Sequence, residues 1–322
     1  MTFKKFFYSS LLISICIVTA IVLFNVYMNE YGLFGNTKGM SINIWNNERT
    51  SKYLLSFNYI PTNFEGILIG PSVSNNLDTK KISDFKIYNA SIDGGNVSEL
   101  KYIVENVIQK GNLKFIIICL SPYITKDNGP KTSGISQQQY WGALGSKEIL
   151  YRYLYKLFTM LGLRYDIYND YGCMNFNLWF EKQVVAKSEL VTKSHPERNV
   201  DKQKRNNDNE IEFIDKIAYN ELSEILTLSR IKGVKIFGYY HPYYIEKYNE
   251  RRFQTYKEII DKLFNENDVV WNLNDEKYMV FRSDPSNYYD RSHFSSKGTH
   301  YVIREISNQL NLFYQRNSTE AH

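Results

Sequence analysis

Cysteine is scarce, with three residues among 322: Cys16, Cys119 and Cys173. They follow no regular spacing and no C-x-x-C occurs, so neither a disulfide framework nor a zinc–thiolate site is expected. An excess of one charge is also missing. Lys and Arg total 39 against 34 Asp and Glu, a net charge of +5. The basic residues are scattered among acidic ones, which leaves no electrostatic footprint for nucleic acid. The five histidines show no paired helical spacing of the kind that ligates metal. His241, His293 and His300 with Asp290 are therefore not read as a metal centre, and no cofactor is expected. His195 and His322 fall in polar segments and point to nothing.

Charge is absent altogether from Phe6 to Met28, a nearly continuous apolar run. Roughly 20 such residues cross the hydrocarbon core of a bilayer. Lys4 and Lys5 precede the run, and Asn29 and Glu30 follow it. The positive-inside rule then puts residues 1–5 in the cytoplasm and everything after the anchor outside, as in a single-pass cell-membrane protein. The run is longer than a secretory h-region and no A-x-A-like site follows, so an uncleaved anchor is expected. Ile15 precedes Cys16, where a lipoprotein signal needs a small residue, so lipidation is not expected.

What remains is ample for a core: 43% of residues are hydrophobic. Tyr is abundant at 27 residues. Its apolar body and polar tip suit sugar binding, but AT-rich coding bias yields the same count. Residues 29–60 read as a connector packed onto a domain spanning 61–322. In that domain short apolar runs alternate with amphipathic stretches. Glu65–Gly70, Lys86–Ile92, Lys114–Ser121, Val234–Tyr240 and Val269–Trp271 read as strands. Helices are predicted from the stripes Val97–Ile108, Ile214–Leu226, Phe253–Leu263 and Val302–Phe313. Asn96 caps the first, Gly111 ends it, and Ser295 or Ser296 caps the last. This alternation predicts an α/β domain, three layers with a mainly parallel sheet. An insertion at about 123–209 interrupts it. That stretch holds a predicted helix over Ser146–Leu161, the packing residues Trp179 and Phe180, and a charge-rich loop over Lys187–Glu210. It reads as a lid over the site or as a structural excursion.

Ligands of such sheets bind beyond the carboxyl ends of the strands, and three motifs fall there. Gly70-Pro71-Ser72 follows the first strand, where a serine hydroxyl can be exposed at the start of a helix. Asp290-Arg291-Ser292-His293 follows the fifth. Asp290 sits three residues before His293, close enough to hold the imidazole tautomer while the ring takes a proton from a serine. Ser91-Ile92-Asp93-Gly94-Gly95-Asn96 follows the second strand, where glycine permits close backbone approach and can offer an N–H to an oxyanion. Asp93 reads as a turn residue or a substrate contact. His241 and Tyr243, in Tyr240-His241-Pro242-Tyr243 after the fourth strand, lie at the same edge and are candidate substrate-binding residues.

The order of these motifs resembles the SGNH/GDSL hydrolase superfamily, over roughly Glu65 to Phe313 apart from the insertion. Ser72 matches the nucleophile, Gly94 or Gly95 the oxyanion glycine, and Asp290 and His293 the terminal Asp-x-x-His, here followed by Phe294 and Gly298. The resemblance implies a flavodoxin-like α/β/α fold and a Ser72–His293–Asp290 triad, with oxyanion donors from Ser72 and Gly94 or Gly95. The family's Gly-x-Asn-Asp is missing, and Leu120-Ser121-Pro122-Tyr123 stands in its place. Asn96 or Ser121 would have to replace the missing donor. Similar departures mark a membrane-anchored branch resembling alginate O-acetyltransferase proteins and the D-alanyl-lipoteichoic acid transfer protein. The implied activity is that of a serine esterase or O-acyltransferase on acyl esters, acetyl above all, of cell-envelope polysaccharide. The alternative is an inactive relative that binds glycan or supports a membrane-bound acyltransferase. The implied partners are an acylated or acceptor polysaccharide, the lipid bilayer through the N-terminal helix, and such an acyltransferase.

Overall fold

The computed structural model describes residues 3–125, 135–136, 138–175, 178, 214–247, 250–290 and 292–319. About half of the predicted insertion lies outside them, including Trp179, Phe180 and the charge-rich stretch from 187 to 210. So do His195, Arg291 and His322.

Five strands form one sheet: β1 (Gly66–Ile69), β2 (Ile87–Asn89), β3 (Phe115–Leu120), β4 (Lys235–Tyr240) and β5 (Val269–Asn272). Their order is β2-β1-β3-β4-β5, and every pairing is parallel. All six residues of β3 are buried, as expected of a central strand covered on both faces. Successive side chains alternate between two cores. Ile116, Ile118 and Leu120 join one, and Phe115, Ile117 and Cys119 the other. Gly66 is required by this packing, because a Cβ there would lie 2.2 Å from the Phe115 ring.

The helices used below are α1 (Phe3–Met28), α2 (Glu48–Leu55), α3 (Ser72–Asn75), α4 (Val97–Gln109), α5 (Lys147–Met160), α6 (Lys216–Ile231), α7 (Glu250–Ile260) and α8 (Ser296–Thr319). The first core holds apolar residues of α4, α6 and α7, and the second holds Val302, Ile303, Ile306 and Leu310 of α8. This is the expected three-layer arrangement. The predicted caps are in place: Asn96 accepts the Glu99 N–H at 3.3 Å, and Ser295 Oγ accepts the Gly298 N–H at 3.3 Å. Ser146 also caps α5 through Ile149. Gly111, at φ +76°, ends α4 in the left-handed conformation that glycine adopts freely.

Residues 29–60 share the first core. Tyr31, Ile42, Ile44, Leu54, Leu55, Tyr59 and Ile60 are buried in it. A fully buried Arg152 on α5 ties them down. Its guanidinium donates to Glu30 O and Asn43 O, both at 2.7 Å, and to Ser51 Oγ at 3.3 Å. α1 is 26 residues long, uncharged after Lys5 and almost wholly exposed, long and apolar enough to span a membrane.

Candidate active site

The serine loop is shaped by contacts beneath it. Gly70 follows β1, and a Cβ there would lie 2.3 Å from Ser74 Oγ and 2.6 Å from Cys119 Cβ. Pro71, in extended conformation, opens α3, and Ser72 is its first residue. Ser74 Oγ donates to Pro71 O and meets Ser91 Oγ, each at 2.9 Å, tying the β1 loop to the β2 loop. Asn89 Nδ2 donates to Ser74 O at 2.8 Å and Leu77 O at 3.0 Å.

Below this turn lies a buried polar cluster that no periodicity signals. Lys52 of α2 is fully buried. Its Nζ reaches Glu48 Oε1 and Asn75 Oδ1, each at 2.9 Å, and Ser91 O. Asn75 Nδ2 donates to the same Glu48 oxygen at 2.7 Å, and Glu48 Oε2 accepts the Asp93 N–H at 3.0 Å. Burial pushes the Lys52 ammonium below its ordinary value, against the pull of Glu48. The segment before β1 therefore supports both the serine helix and the β2 loop.

The histidine arrives on a closed loop. Tyr288 and Phe294 form an antiparallel bridge, the Tyr289 N–H donates to His293 O at 2.8 Å, and the Ser295 N–H donates to Asn287 O at 2.9 Å. Gly298 lets α8 start against this loop, since a Cβ there would lie 2.1 Å from Asn287 O. The Asp290 carboxylate organises the interior. Its Oδ1 accepts the N–H groups of Ser292 and His293, both at 2.8 Å. Its Oδ2 accepts from His293 Nδ1 at 2.7 Å. With that nitrogen donating, Nε2 is left as the acceptor, and it lies 3.1 Å from Ser72 Oγ. Residues 221 positions apart thus form one chain of carboxylate, imidazole and hydroxyl.

The charges follow from this geometry. Burial opposes ionisation of Asp290, but its bonds to His293 and the two backbone N–H groups outweigh that and hold the carboxyl at about 2. Burial also disfavours the His293 imidazolium, yet the hydrogen bond and charge of Asp290, with help from Asp93, raise it above its ordinary 6.5.

His241 has a different place from the one expected. It is completely buried, so it has no surface to offer a substrate. Its Nε2–H donates to Ser292 O at 2.8 Å, and its ring packs 4.7 Å from Phe294. Burial pulls its pKa down to about 3, so it is neutral. Asn76 holds the loop from the other side, its Nδ2 donating to Phe294 O at 2.9 Å. Asn274 and Arg282 steady the turn after β4. Asn274 Nδ2 donates to His241 O at 2.8 Å, and Arg282 donates to Asn274 O at 2.6 Å and Tyr243 O at 3.2 Å. Tyr243 is half-buried, with its hydroxyl 2.9 Å from Ser121 Oγ.

The proposed oxyanion donors fare unequally. The Gly95 N–H donates to Ile92 O at 2.9 Å within the turn. The Asn96 side-chain oxygen caps α4. Ser121 is fully buried against Tyr243, and its N–H donates to Cys119 O at 3.1 Å. Gly94, at φ +58° and exposed, is the glycine at the open face of the loop. Ser72 stands at the first turn of α3, where backbone N–H groups lack intrahelical acceptors. A cavity of about 300 Å³ lies alongside, bounded by Asn76, Asp78, Tyr168, Met174, Phe294 and Thr299. Ser72 and His293 are not in its wall.

No protein family model matches the sequence, and no curated protein matches it. Among solved structures, a Streptococcus pneumonia protein named provisionally as a platelet activating factor aligns at a TM-score of 0.44 and 10% identity, over 82% of this chain and 91% of its own. An acetyl xylan esterase aligns at a TM-score of 0.38 and 10% identity, over 76% of this chain and 98% of its own. Likeness at that level says nothing of this chain's reaction or substrate.

Proposed function

We propose that this chain is a serine esterase or O-acyltransferase of the SGNH type, acting outside the membrane on acyl esters of cell-envelope polysaccharide. The single observation that carries this is the unbroken chain from Asp290 through His293 to Ser72 at the carboxyl edge of a parallel sheet. Ser72 Oγ attacks the acyl carbonyl while His293 Nε2 takes its proton. Asp290 accepts from Nδ1–H throughout and stabilises the imidazolium. The Ser72 and Gly94 backbone N–H groups receive the oxyanion. The released alcohol takes its proton from His293, and the imidazole then activates water for hydrolysis or a sugar hydroxyl for transfer. The substrate class rests on the motif resemblance and on the outward topology that Lys4 and Lys5 imply.

The test uses the full chain in detergent with a chromogenic acetyl ester. The expected result is turnover that Ser72→Ala removes by roughly 10⁴-fold or more, with a serine-directed phosphonate labelling Ser72. One observation favours a second reading. Ser121, one side chain proposed to replace the missing family Asn, is fully buried against Tyr243, and the other, Asn96, is buried with its side-chain oxygen held in the α4 cap, which fits an inactive glycan-binding relative or a helper of a membrane-bound acyltransferase. Neither turnover nor labelling would decide for that reading.

A further inference from the structure

The anchor and α5 meet, and where they meet fixes the height of the domain above the bilayer. Asn25 is a polar residue near the end of an apolar helix, and it is buried by α5. Its Nδ2 donates to Leu144 O at 2.8 Å, and its Oδ1 accepts the Tyr153 hydroxyl at 2.8 Å. Phe24 packs 5.6 Å from the Tyr153 ring. Just beyond, Glu30 pairs with Arg152 at 3.3 Å and Lys156 at 2.5 Å. From Phe6 to Asn25 the helix rises about 29 Å, close to the ~30 Å of a hydrocarbon core. Asn25 therefore sits at the outer boundary of the hydrocarbon, and Leu144 and Tyr153 are held at that boundary with it.

α5 then runs from this point with an apolar face that the described residues leave uncovered. Ile149 and Arg152 turn inward and are buried. Leu150, Leu154, Leu157, Phe158 and Leu161 follow at helical spacing on another face, 36–61% exposed, and Leu163 beyond them is 73% exposed. Leu150 and Leu157 flank Tyr153, so the stripe continues from the very side chain that touches the anchor. A soluble surface seldom leaves such a contiguous patch open.

We propose that this face of α5 lies in the interfacial region of the same bilayer that α1 crosses, so that the domain rests on the membrane instead of swinging on a tether. The occupant is lipid, because the patch is continuous with the anchor and hydrogen-bonded to it at the hydrocarbon boundary. Its chemistry matches an interfacial helix, with leucine and phenylalanine inward and polar ends at the headgroups. Arg164 stacks 3.8 Å from the Tyr155 ring, placing a cation beside the apolar stripe. The inference rests on reading α1 as membrane-spanning.

The test is nitroxide labelling of the full chain in lipid nanodiscs, with Cys16→Ser removing the exposed native thiol. Single labels go at Leu154→Cys, Leu161→Cys, Leu12→Cys in α1, and Val280→Cys. Val280 is 84% exposed, beside Phe281 in the core on the other side of the sheet. The expected result is an oxygen-to-nickel-chelate accessibility ratio at Leu154 and Leu161 several-fold above that at Val280, approaching Leu12. A Val280-like ratio at Leu154 and Leu161 with a lipid-like Leu12 overturns the proposal while leaving the anchor intact. Low access to both reagents means that protein covers the stripe, which also overturns it. A water-like Leu12 removes the anchor reading and the proposal together.

Discussion

Along the carboxyl edge of the sheet, two groups of loops use their polar atoms differently. In the β1 and histidine loops, surrounding bonds fix the backbone and leave one hydroxyl facing one imidazole at 3.1 Å. In the loops after β2 and β3, the expected donors other than the exposed Gly94 are turned to structural work. The Gly95 N–H closes a turn, Asn96 caps a helix, and Ser121 meets Tyr243 inside the protein. A buried polar group must be satisfied, and one satisfied by its own fold is not free to meet a transition state. Availability, more than residue type, separates the two groups.

The contrast is broken most forcefully at the carboxylate. Asp290→Asn should lower kcat/KM by roughly 10³–10⁴-fold, because the imidazole loses the partner that sets its tautomer. The sign of the pH effect follows from the same loss. His293 is raised by Asp290 against burial, so in the native chain activity should rise with pH as the imidazole deprotonates above 6.5. Without Asp290 burial prevails, and the acid limb should move to lower pH. A pH–rate profile with an unmoved limb would remove Asp290 from the site.

A middle-sized effect is expected at His241. His241→Ala deprives Ser292 O of its donor and opens space against Phe294. Stability should fall by about 1–3 kcal/mol, and kcat should fall about tenfold with KM little changed, as the His293 loop loosens. His241→Gln, whose amide can reach Ser292 O, should restore much of the rate. Because His241 is held near 3, it contributes no limb to the profile between pH 5 and 9, and neither variant should remove one. A selective rise in KM would return His241 to the substrate pocket.

The smallest effect should come from Ser121→Ala. It removes one buried bond to Tyr243, worth about 1 kcal/mol, and should change the rate less than tenfold. A kinetic loss of about 10²–10³-fold would mark Ser121 as an oxyanion donor after all and erase the distinction between the two groups of loops.

Much of this was legible from residues. The five strands are apolar runs ending in turn signals, and parallel burial makes such runs continuous rather than alternating. The Ser72, Asp290 and His293 positions stand out because serine, carboxylate and imidazole fall after strands at one edge. The supporting residues do not stand out. Lys52 lies in the stretch read only as a connector, yet it is buried under α3 with Glu48 and Asn75. Asn76 and Asn274 look like turn asparagines. His241 had the right edge but the wrong side, because whether a loop residue points out or in depends on what packs over it, here Phe294 and Ser292.

By itself the sequence determined the alternation of strands and helices, the caps, the apolar N-terminal helix and the local Asp290–His293 pair, all of which depend on neighbours within a few positions. Tertiary structure alone decided that Ser72 meets His293, that Lys52 is buried, and that Ser121 is occupied. Those outcomes depend on which distant segments share the finite space at the sheet edge, and short-range pattern carries no record of that competition.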